Sequence, residues 1–144
     1  MITDNWTLSG AASFLESELV EDYRRSASSP EPDAPAGSRL PRVPEVKWNV
    51  STRYTFANEW FAQAAYMYTG DSYNDLFGGF RQLQGSYDVV NASFGLQRSN
   101  WTAEVYVQNL TDERGDVWIN DVNWDQRVTI NQPRTLGVRW QQRF

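Results

Sequence analysis

The last stretch of the chain alternates between apolar and polar residues almost without a fault. Leu136, Val138, Trp140 and Phe144 fall on one side, and Thr135, Arg139, Gln141 and Arg143 on the other. A period of two is the signature of a β-strand with unlike faces. Here one face is bulky and apolar while the other is charged, and the strand runs to the final residue. Soluble domains rarely end this way. In an outer-membrane β-barrel the apolar face meets lipid and the polar face meets a watery lumen.

The same alternation predicts five further strands. The first covers about residues 5–20, with Trp6, Leu8, Gly10, Ala12 and Phe14 on one face. The second covers about 46–56, where Val46, Trp48, Val50, Tyr54 and Phe56 alternate with Lys47, Asn49, Ser51, Arg53 and Thr55. The third, about 60–69, sets Trp60, Ala62, Ala64, Tyr66 and Tyr68 against Gln63, with Phe61 and Met67 blurring the pattern. The fourth covers about 87–97 and the fifth about 101–110. No segment carries a helical stripe, so consecutive strands are expected to pair as an antiparallel meander of about six. The expected fold class is all-β.

The connections alternate in length. Tight turns are expected at about residues 57–59 and at Ser99-Asn100, and long polar loops at about 21–45, 70–86 and 111–133. Bacterial barrels show this segregation, with short periplasmic turns and longer extracellular loops. If the short turns are periplasmic, Trp6, Tyr54, Phe56, Trp60, Phe94, Trp101 and Phe144 gather near one membrane interface as an aromatic girdle. Barrels of this type start at about eight strands, and open edges are forbidden in lipid. Six strands therefore read as the last part of a barrel.

Composition narrows the choices. Mean hydropathy is −0.63, and no run approaches the roughly 18 apolar residues of a membrane helix. Any membrane reading is thus a barrel reading. Aromatic residues reach 15 %, which suits interfacial girdles. The chain has neither Cys nor His, which removes disulfides, thiolate chemistry, the His-based triads and the commonest zinc ligand. An enzyme is the weakest reading, and no cofactor is implied. A net charge of −5 argues against a nucleic-acid partner. The opening Met1-Ile-Thr-Asp-Asn-Trp has no basic or apolar signal region, so an exported barrel would place Met1 inside a longer protein.

Four motifs in order resemble the C-terminal part of TonB-dependent outer-membrane receptors. They are Gly37-Ser38-Arg39-Leu40-Pro41-Arg42-Val43-Pro44 ahead of the Trp48 strand, Asn109-Leu110-Thr111-Asp112 at a strand end, Pro133-Arg134-Thr135 with Gly137 leading into the final strand, and the terminal Phe144. The resemblance covers essentially the whole chain, residues 1–144. It implies the last six strands of a plugged barrel of roughly 22, without the plug domain. It also implies localisation in the cell outer membrane and energised uptake of a scarce ligand: an iron-siderophore, a cobalamin or a carbohydrate. The implied partners are outer-membrane lipid, the barrel-assembly machinery and, through an N-terminal part lying outside this chain, the TonB system.

Candidate site residues fall in three groups. Trp118 and Trp124 lie in the third long loop, where they would stack on a sugar or aromatic chelate or, at least as readily, pack within the loop, with Asp116 and Asp121 as further ligand-loop candidates. A calcium site there lacks a D-x-D-x-D-G pattern, and acidic runs are usually solvated surface. Arg53, Arg139 and Arg143 face the lumen, where they would pair with plug carboxylates, touch an anionic ligand, or serve as ordinary polar wall. Val138, Trp140 and Phe144 face lipid and also form the terminal signal that, by the resemblance, the assembly machinery reads. A Trp-rich soluble β-sandwich that binds carbohydrate would also alternate. It leaves the girdle and the loop asymmetry unexplained.

Overall fold

The computed structural model describes residues 4–77, 79, 81–122 and 125–144. Among these residues lie ten strands: β1 (Trp6–Phe14), β2 (Val46–Thr55), β3 (Trp60–Thr69), β4 (Ser72–Tyr73), β5 (Leu83–Gln84), β6 (Tyr87–Gln97), β7 (Trp101–Gln108), β8 (Asp116–Val122), β9 (Asp125–Ile130) and β10 (Thr135–Gln142). Six of these form one antiparallel sheet in the order β1-β2-β3-β6-β7-β10, while β4-β5 and β8-β9 form two small hairpins. The six-stranded meander is the one that the alternation predicts. The small hairpins are additions: they lie inside two of the segments expected to be plain loops.

The register gathers most of the large apolar positions on a common face. Trp6 lies opposite Tyr54, Tyr54 opposite Ala62, Ala62 opposite Phe94, Phe94 opposite Val105 and Val105 opposite Val138. A second row joins Trp60, Leu96, Ala103 and Trp140. The opposite face carries Arg53, Gln63, Ser93, Tyr106 and Gly137 in one continuous path. Phe61 belongs to this polar face, in which it is buried and only 1 % exposed.

No second layer covers the apolar face among the described residues. Trp48, Val50, Tyr54, Trp60, Phe94, Val105, Val138 and Trp140 all remain exposed. A sandwich would bury such a face against a facing sheet about 10 Å away. An exposed apolar surface of this extent marks an interface, and a barrel wall in lipid has that character.

The strand ends follow from local chemistry. β1 stops at Phe14 rather than running to residue 20: Phe14 pairs with Val46, Leu15 N–H makes one further bond to Glu45 O at 2.8 Å, and the ladder ends there. Beyond Phe14 the chain folds back on itself, with isolated bridges between Glu18 and Arg39 and between Tyr23 and Ala34. The short turns are closed by Phe56 N–H donating to Trp60 O at 2.8 Å and Arg98 N–H donating to Trp101 O at 2.8 Å. Trp6, Tyr54, Phe56, Trp60, Phe94, Trp101 and Phe144 cluster toward this end of the sheet. There Trp60 stacks on Phe94 (5.0 Å) and Trp101 on Trp140 (4.7 Å).

Candidate functional site

At the opposite end the three long connections are fastened together. Arg39 of the first makes ion pairs with Glu45 at 2.8 Å and with Asp71 at 3.1 Å. Arg42 N–H donates to Tyr73 O at 2.8 Å. Asn74, buried in the second connection, donates to Ile119 O in the third at 3.4 Å. The Gln84 side-chain oxygen, its amide oriented to suit, accepts from the N–H groups of Trp118 and Ile119 at 3.1 Å each. The loops therefore form one platform, with hydrogen bonds binding backbone that loops usually leave to solvent.

Arginines decorate this platform, each against a ring. Arg42 lies 5.2 Å from the Trp118 ring, Arg81 lies 3.6 Å from the Tyr73 ring, and Arg39 approaches the same Tyr73 at 5.4 Å. Arg25 lies 4.3 Å from Phe77 and is paired with Asp33 at 3.1 Å. The Arg25 main-chain N–H, donating to Asp33 at 2.7 Å, holds that carboxyl below its ordinary value, helped by the Arg25 guanidinium. Arg39 and Arg25 are thus neutralised, whereas Arg42 and Arg81 make no ion pair among the described residues. Trp118 is 39 % exposed. It offers an aromatic surface beside an unneutralised guanidinium, suited to an anionic group or a second ring.

Trp118 is one of the loop residues expected from the sequence, whereas Arg42 and Arg81 are not. Arg42 and its ring partner are remote along the chain, and Arg81 meets Tyr73 only where the 70–86 connection folds back on itself, so no local pattern announces either. Asp116 and Trp118 share β8, with an irregularity in register between them. Asp121 pairs with Gln126 through the backbone. Trp124 lies outside the described residues.

The two short motifs at the end of β7 and the start of β10 turn out to hold each other. Asn109, 2 % exposed and with a left-handed φ of 51°, accepts from Glu113 N–H at 3.0 Å. It also donates to Glu113 O at 2.9 Å and to Gln132 O at 2.8 Å. Asp112 accepts from Arg134 N–H at 2.8 Å and from the Arg114 guanidinium at 3.0 Å. The Arg134 N–H, then the Arg114 side chain, keep the Asp112 carboxyl below its ordinary value. The knot fixes where the last strand begins.

On the polar face, the predicted lumen arginines take different surroundings. Arg53 lies 3.7 Å from the centre of the Phe61 ring and donates to Gln63 Oε1 at 3.3 Å and Gln97 Oε1 at 2.8 Å. Arg139 is bound to Glu104 and lies 5.1 Å from the Tyr106 ring. Arg143 donates its main-chain N–H to Asn100 O at 2.8 Å. Arg98 and Glu59 form an ion pair between the two short turns. Val138, Trp140 and Phe144 lie on the apolar side, 76 %, 59 % and 112 % exposed.

Comparison with known proteins agrees with this geometry. Residues 2–110 match the model of the family described as TonB dependent receptor-like, beta-barrel. Among solved structures the chain is similar to the siderophore receptor PiuA from Acinetobacter baumannii. The TM-score is 0.77 with 22 % identity, over 96 % of this chain and 19 % of that one. It is also similar to the ferric-catecholate import receptor Fiu from E. coli K12 in its closed form (TM-score 0.69, 20 % identity, 96 % of this chain and 19 % of that one). The ferric yersiniabactin uptake receptor FyuA from Yersinia pestis follows closely (TM-score 0.67, 19 % identity, 96 % and 21 %). At these identities the likeness is one of fold. The chain spans about a fifth of the length of the structures it matches. Among curated protein sequences nothing matches. With its six-stranded antiparallel wall and a family match over most of its length, the chain belongs to the TonB-dependent receptor β-barrel family, whose members are outer-membrane transport receptors rather than enzymes.

Proposed function

We propose that this chain forms the C-terminal wall of an outer-membrane receptor that takes up an anionic chelate bearing aromatic or similarly flat groups, of the ferric-siderophore type. The observation that carries this reading is the pair Arg42–Trp118, with Arg81–Tyr73 beside it, at the long-loop end of the sheet. Guanidinium charge without a carboxylate partner attracts an anionic ligand, and the rings add stacking. The neighbours PiuA, Fiu and FyuA are named for siderophore or ferric-chelate uptake, which favours this ligand class over a cobalamin or a carbohydrate. Transport itself belongs to the whole receptor, with a plug and a TonB-contacting segment supplied by sequence outside this chain.

The apolar face is the lipid contact in this reading. The outer edge of β10, which carries Val138 and Trp140, together with Phe144 just beyond its end, is the surface that the assembly machinery engages. An unpaired strand edge is a template for strand addition.

The test is growth under iron limitation. Cells lacking other ferric-catecholate uptake, expressing the full-length receptor that contains this chain, should grow on a ferric catecholate. The Arg42→Ala/Trp118→Ala variant should need at least about tenfold more chelate, the equivalent of 1.4 kcal/mol in binding. Equal growth of the variant and the parent, at equal receptor levels, rules out the platform as the ligand contact.

A further inference from the structure

The arginines facing the lumen differ in what neutralises them. Arg139 is committed to Glu104, and Arg98 to Glu59. Arg53 is held on three sides by neutral groups: the Phe61 ring, Gln63 and Gln97. It meets no carboxylate among the described residues. Arg143 likewise has no side-chain ion pair or hydrogen bond among them. Both line a depression of about 280 Å³ on the lumen wall near the short turns, in which Glu104, already engaged by Arg139, is the lining carboxylate.

Two properties of this depression point to its occupant. It carries two unneutralised guanidinium groups, so its complement is acidic. Arg53 is also immobilised before any partner arrives. Of the five N–H groups of a guanidinium, Gln63 and Gln97 take one each, leaving a fork free for a carboxylate. A pre-ordered fork suits a permanent partner better than a ligand in transit, which must bind weakly enough to leave. It also lies at the end of the sheet remote from the loop platform. Barrels of this size have a plugged lumen, and the chain accounts for only 19 % of the length of PiuA, so ample sequence elsewhere is available to supply the acid.

We infer that Arg53 and Arg143 form the seat for a carboxylate carried by the domain that fills the lumen, with Arg53 as its anchor, and that Arg139 has no part in this contact. The inference rests on the reading of the chain as part of a plugged receptor.

The experiment uses the full-length receptor in outer-membrane vesicles treated with a water-soluble carbodiimide. The reagent activates carboxyl groups, and a lysine amine in contact displaces the urea to form an amide. Arg53→Lys and Arg143→Lys should each yield a cross-linked peptide joining this segment to an Asp or Glu of the lumen-filling domain. Arg139→Lys should couple to Glu104 instead. Coupling of the Arg139→Lys variant to Glu104, with Arg53→Lys and Arg143→Lys joined to no residue of that domain, overturns the inference and leaves the transport reading standing. A mature receptor without any lumen-filling domain overturns both. The Arg53→Glu/Arg143→Glu variant gives a reagent-free reading. Several-fold faster proteolysis of the lumen domain in a still-folded barrel supports the seat, and an unchanged rate refutes it.

Discussion

The ring of Tyr106 lies directly over Gly137, its opposite neighbour in the β7–β10 ladder, so closely that a Cβ at position 137 would fall 2.4 Å from the ring's Cζ and hydroxyl oxygen. Phe61 stands in the same relation to Gly95 across β3 and β6, with a Cβ there 2.7 Å from Cζ. An arginine caps each ring, Arg139 over Tyr106 and Arg53 over Phe61. In β2–β3 and β6–β7 a tight turn sets the register. The joints occur where the connection is long and cannot do so.

Gly137→Ala should therefore destabilise the wall by about 1–3 kcal/mol, the usual range for overpacking. The check is the temperature at which the folded receptor loses its heat-resistant mobility in gel electrophoresis. Because the added methyl and the Tyr106 ring compete for one space, Gly137→Ala/Tyr106→Ala should cost less than the sum of its single changes. A strictly additive pair would show that the contact is incidental.

Asn109→Ala should cost about 2–4 kcal/mol, since it strands Glu113 N–H and two carbonyls in a buried turn. It also places Ala at a left-handed φ of 51°, which Asn tolerates better. Hydrogen exchange should show the loss first in residues 109–115 and at the start of β10.

The Asp112 clasp should respond to acid. Its folded carboxyl sits below the ordinary value of about 3.9, so its stabilisation is fully present above that value and disappears as pH falls through the lowered one. Exchange protection of the Arg134 amide should be unchanged from neutral pH down to about pH 5 and decline below about pH 4. In Asp112→Asn it should be low throughout. Protection equal in variant and parent at neutral pH would remove Asp112 from the clasp.

The two faces should tolerate charge differently. Val105→Arg, on the apolar face between Phe94 and Val138, should cost about 2–4 kcal/mol in a bilayer, as expected for arginine near the midplane. Asn49→Arg, on the opposite face between Ala11 and Met67, should be nearly neutral. Unfolding titrations in lipid vesicles measure both, and equal costs would refute the assignment of faces.

The strands were legible because alternation needs no partner: Val46 to Phe56 announces its two faces by itself. Phe61 was not. A buried aromatic on a polar face makes sense only beside Gly95 and Arg53, which reach it through the ladder. The same holds for the platform. Trp118 could be singled out by type, but Arg42 joins it only because the loops fold onto one another. The Asn109–Asp112 and Pro133–Thr135 motifs were visible as strings. That Asp112 accepts a hydrogen bond from Arg134 is a fact of three-dimensional closure. β4, β5, β8 and β9 were missed because short hairpins in polar loops carry too few residues to show a period.

The glycine joints also bear on how such a receptor can change its diet. Since Tyr106–Gly137 and Phe61–Gly95 hold the strands in step from within the wall, and the Asn109 and Asp112 clasp fixes the start of β10, the segment at residues 70–86 and the β8–β9 hairpin are relieved of that duty. They can lengthen, shorten or exchange their arginines and rings while the wall keeps its alignment, because extending a loop costs little in closure entropy. On the proposed reading, a different ligand can be accommodated by rewriting the rim alone.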